Sequence, residues 1–181
     1  TDTFDDGYFP SKGIMAGLSY AWTLGGFPHR FNNFHSLEAD VRGVISFKDD
    51  VCLTPYFSTR MLFGKEIPVA YFNAIGGFVP GRYVEQQIPF VGITNLVAMK
   101  NILTLYGAEL RQEIMNNHFV SVSLNYVKDS DRLKDYFKGK GYFGACMGYS
   151  YDTIFGPLSA NIHWSNLTNK LGLYISAGYN F

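Results

Sequence analysis

The stretch that decides the fold is KLGLYISAGYNF, from Lys170 to Phe181, in which every second residue from Leu171 onward is apolar. The apolar positions are Leu171, Leu173, Ile175, Ala177, Tyr179 and Phe181. Glycine, serine, Asn180 and one further tyrosine occupy the positions between them. A repeat of two is typical of a β-strand that has one apolar face, so the sequence predicts a strand here.

The same alternation recurs along the whole chain. Counting KLGLYISAGYNF as the last, it predicts eight strands, at residues 14–24, 37–47, 51–63, 102–114, 120–126, 143–151, 158–164 and 171–181. An even number of antiparallel strands, each about ten residues long, is what a bilayer-spanning β-barrel requires. The predicted fold is therefore an all-β, transmembrane antiparallel barrel with eight strands per chain, formed by one domain at residues 1–181.

Composition supports this class. The 15 basic and 15 acidic side chains balance, which argues against a nucleic-acid surface because such a surface needs a basic excess. Charged residues make up only 17% of the chain and aromatic residues another 17%. A soluble β-sandwich or lipocalin-like barrel also alternates, but its non-apolar face is rich in Lys, Glu and Thr. Here that face is mostly Gly, Ser, Ala and Asn, which favours the membrane barrel.

The connections between the predicted strands alternate in length. Three connections are short, at residues 48–50, 115–117 and 152–156, and they alternate with longer ones. Outer-membrane barrels have tight periplasmic turns and longer outer loops, so both termini are expected on the periplasmic side. Aromatic residues also collect near strand ends, as the girdles of such barrels do. They are Trp22, Phe47, Phe63, Tyr126, Tyr151, Trp164, Tyr179 and Phe181.

Charged residues within the strands occur on the faces opposite the apolar ones. They are Glu38, Asp40, Arg42, Arg60, Glu109, Arg111 and Glu113. An arginine facing lipid at mid-membrane costs about 2–4 kcal/mol, so these faces are expected to line the lumen. The sequence predicts a lumen charge network, and the simplest role for it is to fill and stiffen the interior. A selectivity lining or a latch for a loop is the functional alternative.

The long connection from Gly64 to Val97 contains an unusual apolar segment, YFNAIGGFVPGRYVEQQIPFVG, at Tyr71 to Gly92. Apolar loops of this length are rarely left in water, so we expect this one to insert into the pore. Its candidate residues are Gly76, Gly77, Gly81, Arg82 and Tyr83.

At these residues the chain resembles the BamA/TamA/FhaC-like superfamily of outer-membrane assembly and translocation proteins, whose inserted loop carries Val/Ile-Arg-Gly-Phe/Tyr. It is most similar to the C-terminal barrel of bacterial patatin-like phospholipases. The resemblance rests on DDGYFPSKGIMAGLSY, GGFVPGRYVEQQIPFVG, GYSYDTIFGPLSANIHWSN and LGLYISAGYNF. Gly81-Arg82-Tyr83 reverses the usual Arg-Gly order. The resemblance implies upstream periplasmic and catalytic domains that this chain lacks.

The resemblance also implies a sixteen-stranded barrel, of which eight strands are half. An eight-stranded barrel is just wide enough to be filled by side chains, so the long loop cannot also fit inside it. Either that loop covers the outer mouth, or the chain pairs through its edge strands with a second copy, or with other strands, to form a larger pore. The terminal Tyr179 and Phe181 resemble the signal that the barrel assembly machinery reads, which implies the outer membrane of a Gram-negative bacterium.

Three functions follow from these observations. The first is a membrane anchor and translocation-type pore for an N-terminal passenger domain. The second is a small enzymatic barrel, such as a lipid acyltransferase, for which His163, Ser159 and Ser165 are the residue types required. The third is a structural or adhesion barrel that binds through its outer loops.

No Gly-x-Ser-x-Gly motif is present, so a lipase nucleophile is not expected in this chain. The four histidines show no metal-ligand spacing, and no metal or cofactor is expected. Cys52 and Cys146 fall on polar faces and are expected to be small lumen residues rather than a disulfide. Outer-membrane lipids are the expected surroundings.

Overall fold

The computed structural model describes residues 1–25, 31–47, 51–79 and 83–178, and these residues form an all-β protein. The strands are β1 (Gly13–Thr23), β2 (Phe34–Ser46), β3 (Val51–Gly64), β4 (Ala74–Ile75), β5 (Gln87–Ile88), β6 (Val97–Ala98), β7 (Ile102–Met115), β8 (His118–Ser130), β9 (Gly141–Thr153), β10 (Gly156–Ser165) and β11 (Lys170–Ala177). Two short 3₁₀ helices lie at Val69–Tyr71 and Leu133–Lys138. Neither is long and apolar enough to cross a membrane, nor is any other helix in the described ranges.

The eight long strands form one antiparallel sheet in the order β1-β2-β3-β7-β8-β9-β10-β11. Each long strand pairs with the next one along the chain, which confirms the eight antiparallel strands predicted from the alternation. The three short strands β4, β5 and β6 make a separate small sheet inside the long connection, which the periodicity did not predict. In the described ranges β1 and β11 do not pair with each other, so the sheet is not closed into a barrel.

The apolar face of the sheet is exposed along its whole width. Leu18 is 78% exposed, Leu171 is 77% and Ile162 is 58%. An apolar surface of this extent is unfavourable in water, because apolar area that stays in contact with water contributes no hydrophobic stabilisation to the folded state. Lipid is the solvent that such a face matches, and it is called here the outer face.

Aromatic residues and histidines mark both ends of the outer face. At the long-loop end, the Tyr20 hydroxyl lies 2.6 Å from Nδ1 of His35, and the Trp22 ring stacks on the same imidazole. At the tight-turn end, His118 lies 2.5 Å from the Tyr149 hydroxyl and stacks on another tyrosine of β9. Amphipathic rings at two levels are typical of membrane interfaces, so these clusters delimit the lipid-facing band.

The N-terminal residues fold back along the free edge of β1. Asp2 bridges to Met15 in antiparallel sense, the Thr3 N–H donates to the Ile14 carbonyl, and the Ala16 N–H donates to the Thr1 carbonyl. Successive residues of an antiparallel strand direct their backbone groups to alternate sides. Beyond Ala16, the residues whose backbone N–H and C=O groups point to the free edge are therefore Leu18, Tyr20 and Trp22.

A charge on the outer face should destabilise the folded protein in lipid. Leu124 lies near the middle of β8 and is 46% exposed, so Leu124→Arg is expected to lower the free energy of unfolding by about 2–4 kcal/mol. Urea unfolding of the protein refolded in lipid vesicles measures this. Ile154→Arg, at an isoleucine that is 87% exposed in the turn between β9 and β10, is the control and should cost at most about 1 kcal/mol. Equal losses in the two variants would contradict the assignment of the outer face.

Candidate functional site: a segment inserted against the inner face

The described residues of the connection between β3 and β7, 65–79 and 83–101, lie against the inner face of the sheet, which is the face opposite the outer one, and are called the inserted segment. Its apolar side chains share a buried core with the strand residues at the long-loop end of the sheet. The core consists of Ile75, Ile88, Phe90, Ile93, Met99, Leu103, Leu105 and Val127. Phe90 is fully buried, and its ring lies 3.0 Å from the position that a Cβ on Gly144 of β9 would take. This packing covers the inner face at its long-loop end.

Two adjacent glycines let the inserted segment turn. Gly76 has φ 128° and Gly77 has φ 70°, in the region that disfavours residues with a Cβ. A Cβ on Gly76 would lie 2.0 Å from the Asn95 carbonyl oxygen. The buried side chain of Gln87 fills this turn: its Nε2 donates to the Gly76 carbonyl, and its Oε1 accepts from the Tyr83 N–H. Two of the residues predicted for this loop thus have a clear structural role.

The fully buried Asn73 joins both ends of the inserted segment to β3. Its Nδ2 donates to the carbonyls of Arg60, Lys100 and Asn101 at 3.2, 2.7 and 3.0 Å. Its Oδ1 accepts from Nη1 of Arg60 at 2.7 Å. One amide therefore connects the start of the segment, its end and the sheet. Because such buried carbonyls are costly to leave unpaired, Asn73 fixes where the segment is attached.

Polar cavities lie on the inner face beside the tip of the inserted segment. One of about 170 Å³ is lined by residues that include Arg42, Ser123 and Asn161, and another of about 240 Å³ by residues that include Arg111 and Ser159. Phe78 lines both cavities, and its ring stacks on Tyr174 with centroids 4.6 Å apart. The inner face therefore combines polar cavities with an apolar core that lies toward the long-loop end.

The predicted charge network is only partly assembled. Glu38 and Arg60 stand directly opposite each other across β2 and β3, and their side chains approach to 3.7 Å. Arg42 places its guanidinium over the Tyr56 ring, 5.3 Å from the centroid. Asp40 lines a neighbouring cavity of about 570 Å³. The strands β2 and β3 thus carry one ion pair and one cation–π contact.

On β7, Arg111 does not form a salt bridge with either glutamate within the described ranges. It donates from Nη2 to the Pro10 carbonyl at 2.6 Å, and its guanidinium lies over the rings of Phe9 and Phe119. Those two rings stack with centroids 4.1 Å apart. Arg111 therefore holds the N-terminal residues across the tight-turn end of the inner face.

The two glutamates of β7 make local hydrogen bonds instead. Glu109 accepts from the Ser123 hydroxyl on β8, and Glu113 accepts from the Asn117 N–H in the tight turn that follows β7. Cys52 and Cys146 are both buried and unbridged, as expected for small inner-face residues.

His163 does not have the surroundings that the enzymatic alternative needs. It is 5% exposed, and neither ring nitrogen has a hydrogen-bond partner among the described residues. The Phe78 ring meets it edge-on. Ser159 shares a hydrogen bond with Ser150, and Ser165 accepts from the Leu167 N–H. Without a hydrogen bond between histidine and serine, this group does not form a nucleophile–base pair.

Four predicted site residues, Gly81, Arg82, Tyr179 and Phe181, lie outside the described residues. The residues that organise the inserted segment, Asn73, Gln87, Phe78 and Phe90, were not predicted. A polar residue directly before Ala-Ile-Gly-Gly was the available signal for Asn73, since a polar side chain beside an apolar turn has to find partners there.

An antiparallel sheet with a lipid-matched outer face and a segment on its inner face defines the class of membrane β-barrel proteins. The family model of the OMP85 superfamily matches residues 1–181, and the chain belongs to that superfamily. It is thus an outer-membrane β-barrel protein of the BamA/TamA/FhaC type. Members reside in the outer membranes of Gram-negative bacteria or of organelles. No curated protein matches the chain. The resemblance predicted at the superfamily level is confirmed.

Loss of the Asn73 amide should loosen the inserted segment. Asn73→Ala leaves three backbone carbonyls and Arg60 without this partner, and we expect the local opening of the segment to become easier by about 2–4 kcal/mol. Trypsin cleavage after Lys65 and Lys100, measured on the folded protein, reports that opening. The control is Asn95→Ala, which truncates an exposed asparagine of the same segment. Equal cleavage rates in the two variants would show that the clamp does not hold the segment.

Proposed function

We propose that this chain is the membrane anchor and translocation-type pore of a Gram-negative outer-membrane protein, serving an N-terminal passenger domain such as a patatin-like domain. One observation carries the proposal: a long inserted segment occupies the inner face of a sheet whose outer face is apolar. Anchoring needs only the outer face. Passage of a chain needs a polar interior that can be closed. The inner-face cavities support the first requirement, and in this proposal the inserted segment meets the second. In this proposal the barrel assembly machinery inserts the chain.

The size of the inserted segment supports a barrel larger than eight strands. A closed eight-stranded barrel has room only for the side chains of its own strands. Here the segment brings Ile75, Ile88, Phe90 and Ile93 into the core beside the strand residues. The eight strands therefore serve as half of a barrel of sixteen.

The two edge strands of the sheet, β1 and β11, also require further strands beside them. Lipid offers no hydrogen bonds, so an unpaired strand edge is not tolerated inside a bilayer. On β1 the N-terminal residues satisfy only the edge positions of Ile14 and Ala16. The remaining edge, from Leu18 toward Thr23, needs a neighbouring strand, and so does the outer edge of β11. We propose that a second copy of the chain supplies both.

Crosslinking tests the second copy. Gly17→Cys places a thiol on β1 at a position where a Cβ meets no other atom, and Ser176→Cys places one on β11. Both are combined with Cys52→Ser and Cys146→Ser. With a short bifunctional thiol reagent in membranes, we expect a crosslinked dimer only when both thiols are present. The single-cysteine variants are the controls.

The pattern of crosslinks decides whether a second copy of the chain supplies the missing strands. Links formed only within one chain would contradict the homodimer and indicate that the sheet closes on itself. An absence of links between β1 and β11 would contradict the second copy as the source of the missing strands.

The pore role can be tested by ion conductance in planar bilayers. Phe78 is a bulky side chain that lines both polar cavities, so Phe78→Ala should enlarge the polar space and raise the conductance of the reconstituted protein several-fold. The matched control is Phe155→Ala, at an exposed phenylalanine in the tight turn before β10. A Phe78→Ala conductance no higher than that of the control would contradict the proposed path.

The proposal does not include catalysis by this chain. Among the described residues, His163 makes no hydrogen bond to Ser159 or Ser165, and the proposal assigns it no catalytic role. The proposed partners are the lipids of the outer membrane, the assembly machinery and a second copy of the chain.

A further inference from the structure

The 3₁₀ helix Leu133–Lys138 lies on the outer face of the sheet. The Tyr136 side chain approaches those of Thr104 and Tyr106, which are outward-facing residues of β7. Nζ of Lys128, the residue paired with Thr104, donates to the Phe137 carbonyl at 3.0 Å and lies over the Tyr136 ring. The helix is therefore folded down beside the strands at the long-loop end.

The helix exposes two large apolar side chains at that level. Phe137 is 87% exposed and Leu133 is 53% exposed, although both belong to a segment with ordered contacts to the sheet. The outward Tyr126 lies in the same region of β8. In a barrel that spans the membrane, this height corresponds to the boundary between acyl chains and headgroups. Exposed apolar side chains there enter the lipid.

The charges around the helix are strongly biased. Residues 132–140, called here the basic collar, contain four exposed basic residues and one acidic residue, Asp135. The basic residues are Arg132, Lys134, Lys138 and Lys140. The two preceding acids, Asp129 and Asp131, offset this bias only in part, because the ammonium of Lys100 balances one of them. The Lys100 N–H donates to Asp129, and its ammonium lies 3.5 Å from Asp131.

We propose that the basic collar binds acidic, phosphate-bearing lipid headgroups of the leaflet on the long-loop side. Long basic side chains bury their apolar stems in the interface and keep the ammonium at the level of the phosphates. Phe137 and Leu133 enter the acyl region below, and the lysines select the anionic headgroup above. This inference rests on the membrane position of the sheet under the proposed function, and it adds a lipid class that the protein recognises.

A single-tryptophan reporter tests the proposal. Phe137→Trp is made together with Trp22→Phe and Trp164→Phe, and the whole chain is reconstituted in phosphatidylcholine nanodiscs. A minor fraction of the lipid is brominated phosphatidylglycerol or, in parallel, brominated phosphatidylcholine. We expect quenching by the acidic lipid to indicate its local enrichment by at least about fivefold, which is the factor that one near-surface lysine contributes.

Removal of the collar's charge should abolish that preference. Lys134→Gln, Lys138→Gln and Lys140→Gln are combined in the reporter chain, and the two brominated lipids should then quench equally. The control combines Lys65→Gln with Lys170→Gln, exposed lysines at the same end of the sheet, and should keep the preference.

Each other outcome overturns the inference. Equal quenching by the two lipids in the reporter chain with its native lysines would show that the collar meets the membrane through apolar contacts alone. Strong preference that survives in the triple variant would place recognition elsewhere. Absent quenching of the reporter would leave the collar free for a protein partner.

A second reporter separates this inference from the proposed function. With only Trp164→Phe, the native Trp22 on the outer face reports insertion of the barrel itself. Quenching of Trp22 by both lipids, together with a reporter at 137 that shows no preference, would defeat the collar and leave the membrane barrel intact. Absence of Trp22 quenching would defeat both.

Discussion

The constraint on which this structure depends is that a backbone N–H or C=O surrounded by lipid has no partner outside the protein. A meander of antiparallel strands satisfies that constraint for every strand except the first and the last. The eight long strands do so from β1 to β11, with one register shift between β7 and β8 at Glu113/Met115. At the start of β1 the N-terminal residues cover two edge positions. The remaining edges are why the functional unit is expected to contain more strands than this chain supplies.

The inner face is organised by polar clamps and not by a network of ion pairs. Asn73 joins both ends of the inserted segment to β3, and Gln87 fills the turn at its tip. Arg111 holds the N-terminal residues at the opposite end. Neutral amides suit this role, because they satisfy buried carbonyls without the desolvation penalty of a charge. The same segment is also held by its buried apolar side chains, which pack with Leu103, Leu105 and Val127 of the sheet.

The strands were predictable because a sheet with lipid on one side and small polar residues on the other imposes a strict repeat of two. The predicted ranges differ from the observed long strands by only a few residues, as in β7, which runs from Ile102 to Met115. The faces also predicted that charges of the neighbouring strands β2 and β3 share the interior, and the structure pairs Glu38 with Arg60 among them. The partner of Arg111 was not predicted, because Pro10 and Phe9 are about a hundred residues distant in the chain. The three short strands were missed because two residues carry no periodicity.

By itself the sequence determined the class of fold, the number and direction of the long strands, and which side chains meet lipid, since all of these follow from local alternation and turn length. Only the tertiary structure decided where the inserted segment lies, which amide clamps it, and that Arg111 binds the N-terminal residues. It also decided that the helix Leu133–Lys138 folds onto the outer face. These features depend on contacts between residues far apart in the chain, and a repeat of two contains no information about such contacts.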